Sequence, residues 1–214
     1  MSIRSSCDAE SPRPTLRTPG AHPLTNTRAL RSIAWLTILL CLLLAAGRER
    51  SGAQSTDEEY RVKAAFIFHF AQLVDWPPET RTGAANSLFL CTIGDDPFQG
   101  ALENTVAGKA VGDRILVVRH LKQADDAQAC HVLFLGKAES KRIPTLLTNL
   151  HNAPILTVGE SPGFLGAGGM ICFVLEDNNV RFGINLDAAA SAKLKIGSRL
   201  LILAQTVIGE SREK

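Results

Sequence analysis

An α/β fold, a single three-layer domain with a mostly parallel sheet and one antiparallel hairpin near the C-terminus, is what this 214-residue sequence predicts. Short, wholly apolar runs bounded by Gly, Pro and Asp alternate with stretches of helical spacing, and such runs suit strands buried on both faces. Strands alternating with helices imply parallel pairing and right-handed crossovers. Near the C-terminus two apolar runs instead flank Glu176-Asp177-Asn178-Asn179, a cluster of turn formers, so a hairpin is expected there.

The chain opens with a segment rich in Arg, Pro, Ser and Thr through Arg31, followed by the apolar run Ile33 to Ala46. A basic stretch before an apolar core reads as a signal peptide, and the run is shorter than the about 20 residues of a membrane-spanning helix. Small residues at Ser51-Gly52-Ala53 place the expected cleavage just before Gln54, giving a leader over 1–53 and an α/β domain over 54–214. The leader carries seven Arg and three acids, so its removal turns a formal charge of +2 into −2. The basicity therefore belongs to the targeting segment, and nucleic acid is not an expected partner.

Tyr60 to Val74 has helical spacing in Ala64, Ile67, Phe68, Ala71 and Val74, with acids before it and Trp76-Pro77-Pro78 after it. Ser87 to Gly94 predicts the first strand. Asp96-Pro97 offers a cap and a first-turn proline for a helix over Pro97 to Val106. Further strands are expected at Ile115 to Val118, Val132 to Leu135 and Ile155 to Val158, with a helix at Lys141 to Leu150. Past the glycine-rich Gly163 to Gly169, Met170 to Leu175 and Val180 to Ile184 form the hairpin arms. Helices follow at Asn185 to Lys193 and from Arg199 to about Thr206, the latter capped by Ser198.

The sequence carries no recognisable catalytic motif. The glycine run lacks the Gly-Lys-Ser/Thr of a phosphate loop and leads into a strand, so it reads as a crossover whose backbone passes close to the sheet. Asp95-Asp96 lies where acidic metal pockets form in α/β sheets, but capping before Pro97 accounts for Asp96. His69, His120, His131 and His151 fall on different elements without ligand spacing, and no Gly-x-Ser-x-Gly elbow occurs. No enzyme activity, cofactor or metal is expected. Phe66 and Phe70 share a helix face and read as core. Lys195, Ile196, Arg199 and Leu200 mix charge with apolar surface and are the expected partner contact. Cys91, Cys130 and Cys172 remain after the leader is removed, an odd number that leaves at least one thiol unpaired within a monomer.

The phrases YRVKAAFIFHFAQLVDWP, LCTIGDDPF, ACHVLFLG, ILTVGESPGF and GGMICFVLEDNNVRFGINLDAA follow one another from about Tyr60 to Val207, and together they resemble periplasmic proteins of the YfiR type. The resemblance implies a periplasmic inhibitor that docks on the outward-facing domain of an inner-membrane diguanylate cyclase, or of a sensor kinase, and lowers cyclic-di-GMP output. It also implies a disulfide between Cys91 and Cys130. A homodimer is expected, with release by another envelope protein such as an outer-membrane lipoprotein, by a redox change or by a small ligand. The second bridge of the family pattern has no partner here, because Gly163 to Ile171 contains no cysteine, so Cys172 is expected as a free thiol. The competing reading is an exported small-solute-binding protein with a crevice near Asp95, Asp96, Gly159 and Glu160.

Overall fold

The structure is a computed structural model that describes residues 50–78, 86–122 and 124–209. Of the expected leader over 1–53, residues 1–49, with Cys7 and Cys41, lie outside the described residues, and 50–53 fall in the first turn of a helix.

Alternation within the short apolar runs builds both faces of the sheet. In β2 (Ser87–Ile93), Leu88 and Leu90 enter one core, while Phe89, Cys91 and Ile93 enter the other. The same division splits β5 (Val132–Leu135) into Val132 and Phe134 on the first face and Leu133 and Leu135 on the second. With β4 (Arg114–Leu121) on one side of β2, and β5, β6 (Leu156–Gly159) and β7 (Ile171–Glu176) following on the other, these five strands pair in parallel. The register aligns Leu90, Val132 and Leu156 across three strands.

The antiparallel parts of the large sheet are two hairpins. β8 (Asn179–Asn185) returns along β7, and the tip residues Asp177 and Asn178 have φ of 47° and 63°, left-handed values that Asn and Asp tolerate better than most. At the other end β3 (Ala110–Val111) pairs with β4 around Gly112-Asp113, and β10 (Thr206–Ile208) adds in parallel to β8. The eight strands run β10-β8-β7-β6-β5-β2-β4-β3.

Helix α1 (Arg50–Leu73) covers the first face, together with α2 (Ala101–Val106), α4 (Leu186–Ser191) and α5 (Ser198–Leu203). Phe70 of α1 is fully buried, with ring centroids 5.0 Å from Phe182 and 5.7 Å from Phe173, and each such side chain contributes roughly 1.5–3 kcal/mol by burial. On the second face, α3 (Ile143–Asn149), the 3₁₀ turn Ala124–Ala129 and the glycine loop enclose a smaller core of Leu133, Leu135, Leu147 and Phe164. The three-layer α/β expectation therefore holds.

Several local expectations need correcting. α1 begins at Arg50, ten residues before Tyr60, because 50–59 contains one glycine and no proline to stop it. No helix starts at Pro97: Asp96 Oδ1 accepts the Phe98 amide at 3.0 Å in a local turn, and positive φ at Gln99 and Gly100 delays α2 to Ala101. α5 stops at Leu203 instead of about Thr206, and its N-cap is Gly197, not Ser198. Lys195 and Ile196 form β9, pairing antiparallel with β1 (Val74–Asp75).

Candidate functional site

Parallel strands leave their C-terminal ends at one edge, and there β6 delivers Glu160 against α1. Glu59 and Lys63 stand one helical turn apart, so both reach the same spot. Lys63 Nζ donates to Glu59 Oε1 and Glu160 Oε2, and the Lys63 and Glu160 side chains are 3% and 1% exposed. Glu160 Oε1 accepts the Tyr60 hydroxyl at 2.9 Å and the Lys137 amide at 3.1 Å. Burial, the Glu160 charge and that hydrogen bond together hold the Tyr60 hydroxyl protonated well beyond its ordinary range. The ammonium also lies 4.5 Å from the centre of the Tyr60 ring. One cation is thus shared by two carboxylates, and both oxygens of Glu160 are hydrogen-bonded, as a buried ion pair requires.

Cys172, on β7, sits beside this cluster. Its thiol is buried, free and directed 3.6 Å from the Ser161 carbonyl. Burial, reinforced by the Glu160 charge and opposed by Lys63, pushes its pKa up to about 11, so it is a poor nucleophile. Cys91 and Cys130 are joined in a disulfide with Cα atoms 6.0 Å apart, linking β2 to a residue two positions before β5.

The glycine loop has a definite packing role. The Phe164 ring is 1% exposed and lies between Gly159 and Gly169, where a Cβ would stand 2.5 Å and 2.1 Å from ring atoms. Only glycine admits the ring at both places. Phe164 therefore fills the crevice expected at Gly159. A cavity of about 440 Å³ lies alongside, lined by Ser161, Phe164, Cys172, Phe173 and Thr206 among others. Ser161 is 3% exposed, and its Oγ has no partner among the described residues.

The expected partner contact is rearranged. Leu200 is 1% exposed and belongs to the main core, which corrects its assignment as a contact residue: the helix turns it inward. Ile196 is half-buried in the β1–β9 ribbon, while Lys195 and Arg199 are exposed. The exposed apolar side chains come next in α5, Ile202 at 81% and Leu203 at 61%, followed by Val207 and Ile208 on β10 and Val174 and Leu175 on β7. The sequence SRLLIL is apolar on most sides of this short helix, and packing against the core decides which leucine faces in.

Asp95 is exposed and lies outside the Lys63 cluster. Asp96 instead approaches Glu103 of α2 and His120 of β4. His69 is exposed beside Gln72, and His131 is buried with Nδ1 accepting the Phe89 amide at 3.1 Å. Among the described residues no helix is long and apolar enough to cross a membrane.

Comparison with known proteins adds a family. The model of the YfiR/HmsC-like family matches residues 60–205. Among solved structures, a conserved domain protein from Vibrio cholerae O1 biovar El Tor is 10% identical with a TM-score of 0.47, covering 67% of this chain and 59% of that one. The ABC domain in complex with L-Trp from Streptococcus pneumoniae is 9% identical with a TM-score of 0.43, covering 60% and 57%. This chain thus spans less than two thirds of the length of either.

Proposed function

The chain belongs to the YfiR/HmsC-like family, and from that premise we propose that it is a periplasmic, non-catalytic regulator that binds the periplasmic domain of an inner-membrane diguanylate cyclase and lowers its cyclic-di-GMP output. A sensor kinase with a similar outer domain is the alternative target. Export by the 1–53 leader delivers the chain to a compartment where the Cys91–Cys130 disulfide persists. Regulation of this kind needs no reactive group. It needs a surface that binds one state of the partner better than another, since only differential affinity shifts a population.

The observation that carries this reading is the outward face of α5, where Ile202 and Leu203 are 81% and 61% exposed while Leu200 one turn away anchors the helix in the core. Large apolar side chains on a rigid element, flanked by Lys195 and Arg199, have the composition of an interface centre with a charged rim. In this reading Lys195, Arg199, Ile202 and Leu203 meet the partner, and the homodimer uses a separate surface. An outer-membrane lipoprotein that competes for the regulator would release the cyclase.

The test is cross-linking of the tagged protein in the periplasm, followed by mass spectrometry of the captured membrane proteins. Recovery of an inner-membrane cyclase or kinase, lost in a folded Ile202→Asp, Leu203→Asp variant, is the expected result. Capture of neither class by the wild-type protein overturns the regulatory reading.

The cavity beside Ser161 favours a second reading, an exported small-solute-binding protein, because a buried hydroxyl without a partner among the described residues is suited to meet a ligand. Calorimetry with periplasmic metabolites separates the two: saturable binding by the isolated protein, abolished by Ser161→Val, belongs to the solute reading alone.

A further inference from the structure

On the α2 side of the same sheet edge, Asp96, Glu103 and His120 arrive from a turn, a helix and a strand, each with one ligand atom within 4.8 Å of the other two. The backbone brings them together. Gly94 leaves β2 with φ 78° and its amide donates to the Leu121 carbonyl at 3.1 Å, which holds the turn carrying Asp96 against the end of β4. The Phe98 amide then orients the Asp96 carboxylate through Oδ1.

His120 is held from behind. Thr92, its register partner on β2, is 1% exposed and its Oγ1 lies 2.8 Å from His120 Nδ1. With the proton on Nδ1 donated to Thr92, Nε2 presents a lone pair on the side of Glu103, the arrangement by which metal-bound histidines are oriented through their second ring nitrogen. Glu103 Oε1 contacts His120 Nε2, while Glu103 Oε2 is shut off from solvent with no hydrogen-bond partner among the described residues. A carboxylate oxygen in that state is costly unless a cation or a donor meets it.

We propose that Asp96, Glu103 and His120 form a divalent transition-metal site, for Zn²⁺ or Mn²⁺, with coordination positions left open to solvent. One imidazole nitrogen with two carboxylates suits these ions, whereas Ca²⁺ and Mg²⁺ prefer oxygen donors throughout. The His120 side chain is 44% exposed, so the open positions are reachable by water or by a side chain of another protein. The cation replaces the direct Glu103–His120 contact with a shared charge and satisfies both carboxylates at once.

Protein purified from the periplasm, stripped with chelator and titrated with ZnCl₂ and with MnCl₂ in a calorimeter, should bind a single equivalent of at least one of them. His120→Ala and Glu103→Gln should each weaken that binding, and Thr92→Val, which keeps all three ligands but removes the anchor of Nδ1, should weaken it on the order of 10-fold. His151→Ala, at an exposed histidine elsewhere, should leave it unchanged. Co²⁺ supplies a readout independent of heat: its visible absorption should change intensity and position between wild type and His120→Ala. Circular dichroism establishes that each variant is folded, and Thr92→Val serves if a ligand variant is not. No saturable binding of either metal, or wild-type affinity in folded His120→Ala or Thr92→Val, overturns the site.

Discussion

The Lys63 cluster and the His120 cluster both gather where the parallel strands end, yet the Lys63 and Glu160 side chains are 3% and 1% exposed while those of His120 and Glu103 are 44% and 39% exposed. Similar charges thus serve different ends. Inside, Glu160 has a cation, a hydroxyl and a backbone amide for its lone pairs, and the cluster ties α1 to β6 with nothing left to offer a ligand. Outside, solvent screens the Glu103–His120 attraction, so that pair adds little to folding and remains open to exchange partners.

The largest expected effect breaks the inner cluster. Lys63→Met strands Glu59 and Glu160 without their cation and should destabilise the domain by about 3–5 kcal/mol in urea denaturation. Pairing it with Glu160→Leu should recover part of that loss, since a buried pair replaced by apolar groups is often tolerated. A loss under ~1 kcal/mol in the single variant would mean the inner cluster is no more structural than the outer one.

Next in size is the disulfide, which closes a sequence separation of 39 residues. Replacing Cys91 and Cys130 by Ala should remove ~2–4 kcal/mol, measured by the same denaturation with oxidised wild type as reference. Thiol counting checks the pairing: one labelled cysteine in the unfolded oxidised protein should become three after reduction.

Cys172 reports on the inner cluster through pH. With its pKa pushed from an ordinary 9.0 up to about 11, its thiolate fraction at pH 8 should be roughly 100-fold below that of an unperturbed thiol, slowing alkylation of the native protein accordingly. Because the folded value lies above the unfolded one, the native state favours the protonated thiol. That contribution is complete below about pH 9 and is lost as pH rises through about 11. Alkylation at the rate of a free thiol would mean that the pocket opens readily.

Gly169→Ala should cost about 1–3 kcal/mol, because the new methyl meets the Phe164 ring and the ring cannot retreat through Gly159. The smallest effect belongs to the outer cluster. His120→Ala should change stability in metal-free buffer by less than ~1 kcal/mol, and a larger loss would make that pair structural as well.

Much of the architecture was legible because period-2 and period-3.6 apolar patterns are local. The strands at Ser87, Val132 and Leu156, the hairpin across Asp177-Asn178 and the helix through Phe70 follow from those patterns. β3, β9 and β10 did not, since strands of two or three residues exist only by virtue of a neighbour to pair with. Leu200 was misplaced for a related reason: SRLLIL offers apolar residues all round a short helix, and the choice of inward face rests with the sheet beneath.

Family, class of fold and the number of cysteines available for pairing were properties of the sequence by itself, because each depends on residue types and their order along the chain. The grouping of Glu59, Lys63 and Glu160, of Asp96, Glu103 and His120, and of Phe164 with two glycines was decided by tertiary structure alone. Glu160 lies 97 residues from Lys63, and it is strand order and the shared C-terminal edge of the sheet, rather than spacing in sequence, that bring such atoms into contact.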